Sequence, residues 1–382
     1  MPTQKKPYRV YRGGHGSGDP EAGRFQFGGT VPTEPAASDQ GASDLPGRTV
    51  ATSRGGRWRR IGWKRGVLII TGTVVVVLGL WLFLGYRSFS NEIAKANARL
   101  SPRTRATLTP AGNILTSPQI SIILGSDSRG EKSNSGERAD SILLVRTDPK
   151  HQLISLLSIP RDLNVPIPGH GMNKINAAYA YGGAPLLIRT VNKLTGLKVN
   201  HVVLVDFSGF EDLINSLGGV RVYNPYKIVS SQPFDGVKWH FNKGWLNLGG
   251  RWALAYARIR HTTNPRDSDI TRTERQQRVL QALSHKLVSV GSFFNLPSLG
   301  TDIGKPLTTD LSANELIGLA IDKYRAGRTL QCHLGGTPEQ IGGQDVIQSV
   351  PENRGVIGMF LGQQAPQPAP KGELYAPGCT VS

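Results

Sequence analysis

Residues 119–159 read QISIILGSDSRGEKSNSGERADSILLVRTDPKHQLISLLSI. Three apolar runs, at 120–124, 141–146 and 153–159, alternate with polar, Gly- and Ser-rich connections. None of the three shows the in-out alternation of a half-exposed strand, so each reads as a strand covered on both faces. A fourth run, HVVLVDF at 201–207, has the same character. Helical periodicity follows at 184–194, 210–217, 252–258, 271–290 and 313–324. Buried strands mixed with amphipathic helices predict an α/β domain whose helices cover a central sheet. Residues 119–362 hold one such domain.

Upstream, residues 66–86 read GVLIITGTVVVVLGLWLFLGY, 21 residues without a charge. A helix needs about 20 residues to cross the hydrocarbon core. The run is longer than the apolar core of a secretion signal and starts far from the N-terminus, so a retained membrane anchor is expected. Arg54, Arg57, Arg59, Arg60, Lys64 and Arg65 precede it, and Arg87 alone follows closely. Basic flanks stay in the cytoplasm. Trp58, Trp63, Trp81 and Tyr86 suit the two interfacial belts. Residues 1–65 then form a disordered, basic cytoplasmic tail, since they are rich in Gly, Ser and Pro and poor in large apolar residues. Residues 87–118 read as an extracellular stalk with a helical patch at 91–100, and 363–382 as a Pro-rich tail. Cys332 and Cys379 in an exported domain suit a disulfide that pins this tail; two free thiols are the other reading.

The whole chain of 382 residues carries a formal charge of +18. That excess raises nucleic acid, an anionic membrane surface and a phosphate-rich substrate as partners. It divides at the anchor. Residues 1–65 contain 12 Lys/Arg against 5 Asp/Glu, a balance of +7, leaving +11 for the remainder. Bound to the cytoplasmic face, the first group acts as a topology signal and lipid contact. A domain placed outside the membrane argues against nucleic acid as its partner.

The polar connections carry the candidate chemistry. GSDSRG at 125–130 follows the first strand, and open α/β sheets place ligands outside strand carboxyl ends. Asp127 and Asp140 flank the first two strands. As a pair they suit a hard cation such as Mg²⁺, which shares oxygen ligands with phosphates; alternatively each Asp caps a turn. Arg161 ends the third strand. Lys174 and Asn176 either reach the same site or lie on a solvated face.

The strongest local signal lies at 258–283. Arg258 and Arg260 precede a loop with Asp267 and Asp269, after which Thr271 and Glu274 spell a T-x-x-E capping box. Val279, Leu283 and Leu287 form a buried stripe which, traced backward, runs through Arg275/Gln276 and Arg272. Arginines in line with an apolar stripe, at a helix start that already attracts anions, point to a di- or polyphosphate. Salt bridges from Arg272 and Arg275 to Asp267 and Asp269 are the structural alternative. There is no Walker A motif, no G-x-S-x-G elbow and no H-E-x-x-H. The constellation fits phosphoryl transfer by positioning and charge neutralisation, which needs little covalent help from the protein.

The ordered set GSDSRG, RADSILLV, LLSIPRD, NKINAAYAYGG, LGGRWALAYARIR and DITRTERQQ, spanning roughly residues 119–290, resembles the LytR-CpsA-Psr family of cell-wall enzymes. The resemblance implies a three-layer α/β/α domain with a central mixed sheet and an apolar groove for a polyprenyl lipid. It implies transfer of a glycopolymer from undecaprenyl diphosphate to the 6-hydroxyl of peptidoglycan muramic acid. On it, Asp127 and Asp140 fall on Mg²⁺-associated aspartates, with Mn²⁺ as the alternative ion. Arg138, Arg161, Arg258, Arg260 and Arg275 fall on diphosphate-binding arginines, and Gln276 on the glutamine beside them. Arg129, Asp269 and Arg272 match motif positions. Two departures stand: a Pro-rich tail rather than a second domain follows, and the loop at 261–268 is less Gly-rich than the family pattern. The rival readings are a polyprenyl-diphosphate hydrolase that uses the same residues with water as acceptor, and a non-catalytic lipid-binding regulator of the envelope.

Overall fold

A computed structural model describes residues 63–126, 139, 141–233, 236–259, 262–263, 269–287, 296–370, 373 and 375–381. The described residues begin with helix α1 (Trp63–Ala98) and a single turn, α2 (Pro102–Arg105). Strands β1 (Gln119–Ser126), β2 (Ser141–Asp148), β3 (Leu153–Ser158), β4 (Leu163–Ile167) and β5 (Gly171–Lys174) precede α3 (Ala177–Thr195). Next come β6 (His201–Asp206), α4 (Phe207–Ser216), β7 (Val220–Asn224), β8 (Ile228–Val229), β9 (His240–Phe241) and β10 (Gly244–Leu248). Helices α5 (Gly250–Arg258), α6 (Asp269–Leu287) and α7 (Leu296–Gly304) lead to β11 (Leu307–Thr309) and α8 (Ala313–Arg325). The last elements are β12 (Arg328–His333), β13 (Gly336–Ile341), β14 (Gln344–Ser349), α9 (Asn353–Phe360) and β15 (Gly378–Val381).

The central sheet is mixed, in the order β11-β6-β1-β2-β3-β12-β15. Strands β1 and β6 are parallel, as are β3 and β12, while β2 runs antiparallel to both of its neighbours. Thus β1, β3, β6 and β12 end at one edge, where β2 begins. One face is closed: Ile122, Leu124, Leu144, Leu157, Leu204 and Leu330 pack with α3 and α9 in the main core. The other face is roofed by α6 and α8. This is the three-layer α/β/α architecture. A smaller sheet, β13-β14-β4-β5, and two ribbons, β7 with β10 and β8 with β9, accompany it.

Two sequence boundaries are corrected. One helix of 36 residues runs through the expected anchor and on into the expected stalk as far as Ala98. No Gly or Pro interrupts 87–98, so nothing breaks the helix after the apolar span. From 67 to 84 its large aliphatic side chains are exposed, as befits a lipid-facing surface, and Trp81 is half-buried. Beyond that, the segment read as a free stalk is packed. Ile93 and Ala96 are buried, and Leu100 joins the main core. Helix α7 crosses α1 closely, because a Cβ on Gly300 would lie 2.9 Å from the Phe89 nitrogen and one on Gly304 2.5 Å from the Glu92 Cβ. Small residues four apart permit such an approach. Arg99 then donates to the carbonyls of Gly304, Lys305 and Leu307, and the Tyr86 hydroxyl donates to Asn314 Oδ1 at 3.0 Å. The tail is likewise integrated: β15 is the seventh strand of the sheet, with Cys379 directly opposite Cys332 and bridged to it. The expected cytoplasmic tail, residues 1–65, covers 1–62, which lie outside the described residues, and Trp63, Lys64 and Arg65, the first residues of α1.

Candidate active site

The site lies at the sheet edge where β1, β3, β6 and β12 end. Gly125, near the end of β1, is held to glycine by crowding, since a Cβ there would lie 2.9 Å from the Phe207 ring and 3.3 Å from the Ser141 Cβ. Phe207 follows β6 and stacks beneath Arg258, whose guanidinium carbon is 4.3 Å from the ring centroid. A cation over an aromatic face is held in place without losing its charge. Helix α6 is tied to the same edge by two glutamines. Gln276 accepts from Ser141 Oγ at 3.0 Å and donates to the Ala257 carbonyl at 3.4 Å. Gln277 donates to Ser158 Oγ at 3.0 Å.

The first turns of α6 bury cations. Arg275 is 1% exposed and Arg272 5%, in line with Val279 and Leu283. Arg275 Nη2 donates to the Ile259 carbonyl at 2.6 Å, which joins α6 to the end of α5. A buried guanidinium is costly unless an anion or several acceptors meet it. The capping box read at Thr271 is not how the helix starts. The helix is already under way at Asp269, and Glu274 instead accepts from Arg278 one turn on, at 2.8 Å. Burial raises the Tyr256 phenol above its ordinary value, outweighing the nearby charges of Arg278 and Arg275. Burial also lowers the His333 imidazole at the end of β12, against its bond to the Ala376 carbonyl and the charge of Glu274.

A fourth arginine stands where the chain turns from β3 into β4. Arg161 Nε lies 3.5 Å from Asp162 Oδ2, and Lys174 Nζ 3.2 Å from Oδ1 of the same carboxylate. The β4–β5 hairpin folds back so that the Asn176 nitrogen donates to the Arg161 carbonyl. Asn176 is 1% exposed, and its side-chain amide has no hydrogen-bond partner among the described residues. Lys174 and Asn176 are therefore at this sheet edge rather than on a solvated face.

Behind the edge runs an apolar groove. A cavity of about 250 Å³ lies between the open sheet face and the α6–α8 roof, lined by Ile123, Leu143, Val145, Leu156, Leu280 and Leu319 among others. A smaller cavity of about 70 Å³ shares Ile123 and Leu280 with it and reaches Gly125, Ser141, Phe207, Arg258 and Gln276. The groove thus leads from aliphatic walls to a cationic mouth. An amphiphile with an apolar tail and an anionic head matches that gradient.

Asp127, Arg129, Arg138, Asp140 and Arg260 lie outside the described residues, and Asp269 is described only as the first residue of α6. The register that pairs Gly125 with Ser141 brings together the two strand ends leading to Asp127 and Asp140. Among the described residues no group of three His, Cys, Asp or Glu is arranged to hold a metal. Arg161, Arg258, Arg272, Arg275, Gln276, Lys174 and Asn176 are all placed at or beside the edge. The sequence patterns do not single out Phe207, Ser141, Ser158 or Gln277. Gln277 had one available signal: it is one turn from Leu280 and Gln281 on the helix face that lines the groove.

Residues 83–346 match the model of the LytR_cpsA_psr family. The chain is 31% identical over 255 residues, 66% of its length and 80% of the relative's, to the polyisoprenyl-teichoic acid–peptidoglycan teichoic acid transferase TagU of Bacillus mycoides (strain KBAB4). It is 31% identical over 271 residues, 70% of its length and 68% of the relative's, to the corresponding transferase TagV of Bacillus subtilis (strain 168). Its fold superposes with a TM-score of 0.51 on the LytR-CPS2A-psr family protein YwtF (TagT) with bound octaprenyl pyrophosphate lipid, at 26% identity and covering 68% of this chain and 95% of that one. The groove, the arginine-bearing helix and the family match covering most of the domain agree: the chain belongs to the LytR_cpsA_psr family.

Proposed function

We propose that this protein is a phosphotransferase of cell-wall assembly. It moves a phosphate-linked glycopolymer from a polyprenyl-diphosphate carrier to the muramic-acid 6-hydroxyl of peptidoglycan. The observation that carries the reading is the apolar groove ending at Arg258 and Gln276, with Arg275 buried beside them. The transferase names of its relatives and the lipid held by its structural neighbour support the same reading.

The prenyl tail lies along the groove and the diphosphate at its mouth. Arg258, Arg275 and Arg161 neutralise the phosphate oxygens, and charge placed in a water-poor pocket is worth more than in solvent. Phe207 fixes Arg258, and Gln276 and Gln277 fix α6 against the sheet, so the cations are in position before charge develops. The acceptor hydroxyl attacks the sugar-proximal phosphorus, and polyprenyl phosphate leaves within the groove. The hard oxygen donors of Asp127 and Asp140 suit Mg²⁺, with Mn²⁺ as the alternative; Arg129, Arg138, Arg260, Arg272 and Asp269 complete the set of proposed site residues. The cation, when bound, supplies further neutralisation of phosphate charge. The basic flank from Arg54 to Arg65, ahead of the apolar run, keeps residues 1–65 in the cytoplasm and the catalytic domain outside the cell membrane.

Arg258→Ala is expected to lower transfer by at least about a hundredfold, the scale of one lost charge-stabilising group. The assay supplies a prenyl-diphosphate-linked saccharide and peptidoglycan to the full chain, and mass spectrometry reads the covalent adduct. Wild-type rates in the variant would refute the site. Release of free saccharide phosphate without adduct would make the protein a hydrolase instead.

A further inference from the structure

The ribbon formed by β7 and β10 has one face in a second hydrophobic core and one face in solvent. Val220, Val222 and Leu248 point inward with Trp239, Phe241 and Tyr256. Arg221, Tyr223, Trp245 and Asn247 point outward as two directly opposed pairs, Trp245 with Tyr223 and Asn247 with Arg221. Trp245 is 62% exposed and Tyr223 46%. Their rings meet edge to face, with centroids 5.4 Å apart and planes at 67°, and the Arg221 guanidinium carbon sits 4.8 Å over Trp245. The two rings thus form a fixed corner rather than a core contact. Exposed aromatic area of this kind marks a recognition surface.

Its position gives it a task. Asn224, next to Tyr223, accepts from the Tyr256 hydroxyl at 3.1 Å, and Tyr256 lies beside Arg278 and Arg275. Helix α6 separates this lobe from the lipid groove. Gln277, Leu280 and Gln281 line the groove, whereas Leu283 packs in the ribbon's core, which Val279 joins while also lining the groove's mouth. In phosphoryl transfer the attacking and leaving oxygens lie roughly in line.

We propose that the outward face of the β7–β10 ribbon, built on Trp245, Tyr223, Arg221 and Asn247, binds the glycan strand of the acceptor. This rests on the transferase reading and deepens it by assigning the acceptor a subsite. A pyranose presents one apolar C–H face, which suits the ring of Trp245, and a rim of hydroxyl and acetamido groups. All four side chains carry hydrogen-bond donors for that rim. No aliphatic side chain points outward, whereas a bilayer contact would favour them. The charge fits too: residues 220–258 hold Arg221, Lys227, Lys238, Lys243, Arg251 and Arg258 against Asp235 alone, which complements acidic stem peptides.

The test titrates soluble, uncrosslinked peptidoglycan strands, with and without stem peptides, against the full chain in lipid nanodiscs without donor lipid. Trp245→Ala and Tyr223→Ala are each expected to weaken binding about tenfold, as for a central aromatic anchor. Trp245→Phe should stay within about threefold, since an aromatic face remains. Arg221→Gln should weaken stem-bearing strands more than bare ones. Equal affinities in wild type and both alanine variants would overturn the proposal. So would amide protection at 244–248 that follows the anionic lipid content of the nanodisc instead of added glycan. Because no donor is present, this result stands or falls independently of the Arg258→Ala assay.

Discussion

The two faces of the central sheet are built from alternate residues of the same strands, yet they end in opposite states. On one face Ile122, Leu144, Leu157 and Leu330 are packed shut beneath α3 and α9. On the other Ile123, Val145 and Leu156 line an unfilled groove beneath α6 and α8. Interiors usually pack densely, yet Ile123, although it packs against the cluster of Ile114, Val203 and Leu311, still borders a cavity of about 250 Å³. The closed face stabilises the fold, and the open face withholds its apolar surface for a ligand. Substitutions of similar chemistry should therefore act on stability on one face and on lipid affinity on the other.

The largest expected effect is on the open face. Val145→Trp or Leu156→Trp would displace about one isoprenoid unit from the groove. At about 0.8 kcal/mol per buried methylene, five carbons are worth about 4 kcal/mol, or nearly a thousandfold in affinity for a prenyl diphosphate. Because the added ring enters existing space, folding stability should change by about 1 kcal/mol or less. A titration of octaprenyl diphosphate alongside denaturant unfolding separates the two. Equal loss of both would mean the faces are not functionally distinct.

Next comes the mirror experiment. Leu157→Ala on the closed face is expected to cost about 3 kcal/mol of stability, with prenyl diphosphate affinity retained wherever the chain is folded. A loss of affinity at full stability would break the comparison. Cys332 extends the same closed face and is bridged to Cys379 across 47 residues. Replacing both with Ser should cost about 2–3 kcal/mol, chiefly by freeing the unfolded chain. An unchanged denaturation midpoint would show that β15 holds its place without the bridge.

How far this was legible in the sequence depended on the same asymmetry. The four runs that became β1, β2, β3 and β6 are apolar on both faces, so each reads as a strand without knowledge of its partners. The second sheet was not legible. β4 is LNVPI with Pro166 inside, β5 is GMNK and β13 is GTPEQI, mostly exposed. Their pairing rests on long-range contacts such as Ile347 with Leu163. The docked part of α1 was missed because Ile93 and Ala96 look like a weak helical patch until Gly300 and Gly304 bring α7 against them. At the site, arginines in line with an aliphatic stripe are visible in sequence. The hold of Phe207 on Arg258, and of Gln277 on Ser158, depends on which strand ends lie side by side, and no local pattern encodes that.

The smallest predicted effects concern two carboxylates with opposite environments. Asp148 ends β2 on the closed face. Burial alone would raise its carboxyl, but hydrogen bonds from His151 and Arg146 outweigh that and hold it below the ordinary 3.8. Asp322 sits on α8, in the roof of the open face, and there burial raises the carboxyl above 3.8 against the charge of Arg325. A depressed value means the unfolded chain binds protons more readily, so the contribution of Asp148 is present above about 3.8 and lost as pH falls through the folded value. A raised value reverses the sign: the contribution of Asp322 is present below about 3.8 and lost as pH rises through its folded value. At neutral pH Asp148→Asn should therefore destabilise and Asp322→Asn stabilise, and both differences should shrink on acidification toward pH 2–3. Denaturant unfolding of the full chain in detergent at several pH values measures both. Differences of the same sign, or differences independent of pH, would mean that the roof helix is held by the same buried-pair chemistry as the closed face. The open face would then lack the polar frustration that distinguishes a ligand-binding surface from a core.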